Sequence, residues 1–114
     1  MPGRTVILLS RADPDALHAA GSCALAAVAM EDRVDVFLVG PAVPALVAAR
    51  DADPGEPGAL LHQARGLGAR LVACSASVVA HKVDLAEAEA ALDAVVGWPT
   101  ILEWSRGVVD RFSF

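Results

Sequence analysis

RLVACSAS, residues 70–77, is an apolar run that ends on a cysteine and continues in small residues able to start a helix. Leu71, Val72 and Ala73 would place apolar side chains on both faces of an extended segment, the pattern of a strand buried on each side in a parallel sheet. Two earlier runs share it: TVILL at Thr5–Leu9 and VDVFLV at Val34–Val39. Each leads into a helical stretch. After the first, Asp13 suits an N-cap and Pro14 the first helical position, predicting a helix to about Glu31 with Leu17, Gly21, Ala24, Leu25 and Val28 on its inner face. After the second, Gly40 and Pro41 stop the strand and Ala42–Ala49 can form a short helix. Strands alternating with helices predict an α/β fold in three layers, α/β/α, around a mainly parallel sheet of four or five strands.

Outward from these runs the remaining elements fall into place. Asp51–Gly58, DADPGEPG, holds two prolines and two glycines and reads as a loop. Ala59–Arg65 is helical with Gly66 as its C-cap residue, and Arg70–Cys74 is the third strand. A helix over Ser75–Lys82 follows, then one over Leu85–Asp93 capped by Asp84. Val95 and Val96 form a minimal fourth strand, Pro99–Arg106 a helix begun by its proline, and Val108–Phe112 a last strand. At 114 residues the chain has room for one domain, 1–114.

Composition excludes several functions. The hydrophobic fraction is 55% and the mean hydropathy +0.50, but alanine, about a fifth of the chain, supplies much of that. The longest apolar stretch, Ala19–Met30, falls short of the roughly 20 residues a bilayer span needs. Nothing near Arg4 resembles a secretion signal, so a cytoplasmic protein without membrane contact is expected. A net charge of −5 and a pI near 4.9, with basic residues scattered singly along the sequence, argue against nucleic-acid binding. Two cysteines in such a chain are expected as thiols.

Cys74 is the residue most suggestive of chemistry. Ligands of open α/β sheets bind beyond the carboxyl ends of the strands, which is where Cys74 falls. At the start of a helix, exposed N–H groups would favour its thiolate, the nucleophilic form. Equally, a cysteine there can be a small buried hydrophobe. Cys23, among alanines in mid-helix, reads as a packing residue. His81 and Lys82 lie about two turns beyond Cys74, some 10 Å along a helix, too far to touch it within one chain. His18 follows the carboxyl end of the first strand and is a candidate polar contact or base, whereas His62 reads as a surface residue. No pair of histidines or cysteines has ligand spacing, so no metal is expected. Gly66-Leu67-Gly68 follows a helix rather than a strand, so it is no dinucleotide loop, and no cofactor is expected.

These pieces together resemble the DsrE/DsrF/DsrH-like family of small sulfur-relay proteins, over nearly the whole length: the first strand and acidic helix start, VDVFLVG, the Gly/Pro loop, ARLVACSAS and the closing WSRGVVDRFSF. The resemblance implies a DsrE-like, flavodoxin-like α/β/α domain in a homo- or hetero-oligomer, often a trimer or hexamer, of which a homo-oligomer is expected here. It implies a sulfurtransferase-type persulfide carrier with Cys74 as the reactive residue, Ser75 and Ser77 beside it in the matching loop, and a donor or acceptor protein as partner; His18 is a candidate for the same substrate site by its place at the sheet edge, not through the resemblance. Two other readings stay open. One is a binding or assembly module without chemistry, suggested by Trp98, Trp104, Phe112 and Phe114 near the C-terminus. The other is a thiol redox sensor in which Cys74 is oxidised or pairs with Cys23, which needs Cα atoms within about 7 Å.

Overall fold

The computed structural model describes residues 3–107 and 109–114. In chain order these form β1 (Arg4–Leu9), α1 (Pro14–Ala29), β2 (Arg33–Leu38), α2 (Ala42–Ala48), α3 (Ala59–Gly66), β3 (Arg70–Cys74), α4 (Ser75–Ala80), α5 (Leu85–Ala91), β4 (Ala94–Val96), α6 (Trp98–Trp104) and β5 (Asp110–Ser113). The strands build one parallel sheet in the order β4-β3-β2-β1-β5. This is the three-layer α/β/α architecture expected from the alternating runs. Its layers and all-parallel sheet are those of flavodoxin, but flavodoxin orders its strands 2-1-3-4-5.

Alternation along the strands divides the interior in two. Ile7, Leu9, Val36, Leu38, Leu71 and Ala73 face α1 to α5, where Leu17, Ala20, Ala24, Val43, Leu46, Leu61 and Val78 meet them. Val6, Phe37, Val72 and Cys74 face the other way, onto Ile101 of α6. The chain steps from β1 to β4 with its helices on one face, then returns across the sheet to β5 with α6 on the opposite face. One face is thickly covered and the other thinly.

Helix ends differ from the sequence expectation for identifiable reasons. In α1 the N-cap is Asp13, whose carboxylate accepts from the Ala16 N–H at 3.1 Å, but the helix stops at Ala29 and Glu31 turns left-handed at φ 66°. The inner face is lined by Ala16, Leu17, Ala20, Gly21, Ala24 and Ala27, with Leu25 and Val28 half-buried at its flank. Small residues win that face because α3 comes close: a Cβ on Gly21 would sit 2.5 Å from Leu60 Cβ. In α3, Gly66 is still helical, Leu67 is the C-cap, and Gly68 takes the left-handed turn at φ 116°. The helix expected over Ser75–Lys82 ends at Ala80, because Lys82 adopts φ 53° and turns the chain back. α5 ends at Ala91, since Leu92 is already extended and Asp93 accepts the Leu71 N–H at 2.7 Å instead of continuing the helix. β4 adds Ala94 to the expected pair, α6 is shifted to start at Trp98, and β5 is Asp110–Ser113. Of the strand expected from Val108, that first residue lies outside the described residues.

Candidate functional site

Cys74 is the last residue of β3 and the residue from which α4 starts, with φ −72° and ψ 123°. Its register partner is Val96, the last residue of β4. The connection leaving β3 runs over the face covered by α1 to α5, whereas the connection leaving β4 runs over the α6 face. Adjacent strands whose connections part to opposite faces leave a crevice at their carboxyl ends, the usual ligand position of an open α/β sheet. Cys74 therefore stands at the switch point of the sheet.

The thiol itself is covered. Cys74 is 1% exposed and belongs to the buried cluster formed with Val6, Phe37, Val72 and Ile101. Its side chain makes no capping hydrogen bond to α4. Pointing to the α6 face, it is separated by the sheet from Cys23, which is half-buried on the α1 face. Burial pushes the Cys23 thiol pKa up, away from the reactive thiolate form. The two cysteines are free and on opposite sides of the sheet, which removes the pairing that a Cys23–Cys74 redox switch requires.

The two serines differ in role. Ser75 is half-buried at the crevice, where a Cβ on Gly97 would stand 3.8 Å from its hydroxyl oxygen. The Ser77 hydroxyl accepts a hydrogen bond from the Gly40 N–H at 2.8 Å. Gly40 has φ 58°, so this bond ties the left-handed turn after β2 to the first turn of α4. Ser75 thus borders the crevice, and Ser77 ties α4 to the turn after β2.

The histidines do not join Cys74. His18 is exposed on α1 and borders a cleft of about 190 Å³ with Asp15, Glu56 and the Gly55–Gly58 turn, on the far side of the sheet from the thiol. His62 is not a plain surface residue: it is half-buried, and its Nε2 lies 2.7 Å from the Leu46 carbonyl oxygen, joining α3 to α2. His81 and Lys82 line a cavity of about 560 Å³ with Arg50, Asp51, Asp84 and Glu87. Because α4 is short, Lys82 also borders a second groove of about 560 Å³ that contains Ser75.

One constellation escaped the sequence reading. β1, β2 and β3 each open on an arginine, and parallel pairing gathers Arg4, Arg33 and Arg70 around Asp35. Asp35 is 1% exposed. Its carboxylate takes Arg70 Nε at 2.7 Å and Arg4 at 3.2 Å, with Arg33 Nε at 3.9 Å. The Arg70 guanidinium also stacks 4.1 Å over the Trp104 ring, and Arg4 donates to the carbonyls of Trp104 and Arg106. Basic residues scattered singly in sequence are thus collected in space. The legible signal was an acid inside an apolar strand, VDVFLV, beside strands that begin with arginine.

Among the described residues no helix is long and apolar enough to cross a membrane. No protein-family model matches the chain, and no curated protein matches it.

Proposed function

We propose that the chain is a small DsrE-like carrier of sulfane sulfur, with Cys74 as the group that holds it. The observation that carries the reading is the place of Cys74, at the carboxyl end of β3 opposite Val96, where the crossover connections part. The Cys74 thiolate attacks the outer sulfur of a donor persulfide, R–S–SH. A bond forms to Cys74 Sγ, the donor S–S bond breaks, and R–S⁻ leaves with the electron pair. The product is Cys74–S–SH, and an acceptor thiolate reverses the step on the other side. No net oxidation occurs, so no cofactor is needed. Ser75 lies beside the sulfur's exit, and the partners are donor and acceptor proteins in the cytoplasm.

Incubation with a persulfide donor followed by intact-protein mass spectrometry tests this. The expected product gains the mass of one sulfur atom, is reversed by excess thiol, and is absent from Cys74→Ser. A sulfur adduct that persists in Cys74→Ser, or none on the parent chain, overturns the reading.

A second reading is favoured by a specific surface. Trp98 is 44%, Leu102 56% and Phe112 46% exposed, around an apolar cleft of about 200 Å³ over β1 and β5 that α6 leaves uncovered. Exposed aromatic and aliphatic groups around a cleft suit an assembly surface. In that case the chain is an oligomeric binding module, and the trimer or hexamer forms with no sulfur chemistry. Sedimentation at micromolar concentration together with an inert Cys74 would select it. A monomer would exclude it.

A further inference from the structure

We propose that α6 is a releasable cover over Cys74, held shut at its carboxyl end by Arg4 and Arg70. As regulation of that thiol it rests on the carrier reading, but the motion can be measured without any sulfur chemistry.

The amount of surface that holds α6 in place is small. Of its seven residues only Ile101 is buried, and Ile101, with the half-buried Trp104 packed alongside, is what α6 contributes to the apolar cluster that includes Cys74. Trp98 and Leu102 are exposed. An element with so few buried apolar groups belongs to the part of a fold that opens at low free-energy cost. The sheet beneath is the reverse case: Phe37, Val72 and Val36 are fully buried between strands paired on both sides.

What fastens α6 is polar and lies at one end. The last carbonyls of a helix lack partners within it, and a cation there also suits the helix dipole. Arg4 supplies both, donating to the Trp104 carbonyl and, at 3.1 Å, to that of Arg106. Arg70 holds the Trp104 ring by stacking on it. Both guanidiniums are fixed in turn by Asp35, which belongs to the sheet. Asp35 is thus the anchor, the two arginines are the clasp, and Trp104 is the part of the helix they grip. Release of Trp104 lets Ile101 leave the cluster, and displacement of α6 opens the face of the sheet on which Cys74 is buried. A thiol that meets water only when α6 is displaced would be protected from adventitious oxidants and available to a partner able to displace the helix.

The test uses the whole chain carrying Cys23→Ala, so that a maleimide or disulfide reagent reports Cys74 alone, with and without Trp104→Ala. Modification rates are measured under native conditions across a range of urea concentrations, beside the urea dependence of global unfolding. The slope with urea scales with the surface exposed in the opening that admits the reagent. The expected result is modification slower than that of a free thiol, with a slope well below the global one. Trp104→Ala leaves both Asp35 pairs in place and should raise the rate roughly tenfold, the scale of one lost cation–π and packing contact. A rate equal to a free thiol overturns the proposal. So does a slope equal to that of global unfolding in both proteins, or a rate unaltered by Trp104→Ala. A chain that passes this test yet accepts no sulfur from a persulfide keeps the cover and loses the carrier function.

Discussion

Arg70 lies with its guanidinium carbon 4.1 Å from the centre of the Trp104 ring while its Nε stands 2.7 Å from Asp35, so one side chain joins a sheet carboxylate to the only helix on its face among the described residues. Cation–π attraction and a charge-assisted hydrogen bond act there on the same planar group, a combination that arginine permits and lysine does not.

Asp35→Ala should destabilise the chain by roughly 2–4 kcal/mol, below the full value for a buried pair because Arg4 and Arg70 are partly exposed and screened. Loss of the carboxylate leaves three arginines facing one another at the start of three adjacent strands. Urea unfolding of the variant against the parent measures it, and a loss under about 0.5 kcal/mol, the scale of an ordinary surface substitution, would rule the anchoring role out.

Gly21→Ala pits two effects against each other. Within a helix the change should stabilise by up to about 1 kcal/mol. The new Cβ, however, would stand 2.5 Å from Leu60 Cβ and 3.3 Å from the Leu61 backbone nitrogen, neither of them a flexible side-chain end. Overpacking of that kind costs about 1–3 kcal/mol, so the net sign is destabilising. The thermal midpoint should fall; a rise would mean that α1 and α3 can part at little cost.

Acid should remove part of the stability through Asp13. Its pKa is held below the usual carboxylate value, chiefly by the hydrogen bond from Arg11 and next by the Ala16 N–H. A depressed folded pKa gives stability that is present above the unfolded value, near pH 4, and is lost as pH falls through the folded one. The difference in urea midpoint between the parent and Asp13→Ala should therefore be full at neutral pH and shrink below about pH 4. A difference constant from pH 7 to pH 2 would contradict the ionised cap.

Ser77→Ala should leave the Gly40 N–H without its acceptor and cost about 1 kcal/mol. The local readout is sharper than the global one. Amide exchange at Gly40 should quicken by about tenfold, while that of Val36 and Leu38 in β2 follows only the change in overall stability. Unchanged exchange at Gly40 would show that another acceptor replaces the hydroxyl.

The sequence discloses the elements whose signals are local and hides those that depend on distant pairing. TVILL, VDVFLV and RLVAC are legible because a strand buried on both faces must be apolar throughout, and Asp13-Pro14 and Asp84 mark helix starts through bonds only three residues long. The end of α4 was hidden because it depends on Lys82 entering a left-handed conformation that glycine or asparagine would have advertised. His62 looked like a surface group because the Leu46 carbonyl it meets belongs to another helix. The same holds for the candidate site. That Cys74 ends a strand was readable; that Ile101, 27 positions later, joins the same buried cluster was not, since it depends on where the chain returns after β4.

Asp35 has a consequence for how the sheet comes together. Parallel strands can mispair by a residue, and each such slip moves one strand by about 3.3 Å and exchanges its two faces. In this chain a slip of β3 against β2 would carry Arg70 away from Asp35 and leave one side of the buried carboxylate without its partner, while a slip of β1 would do the same through Arg4. One acid read by arginines on both neighbouring strands thus acts as a proofreading mark, making the wrong alignments costly even where the apolar side chains would accept them.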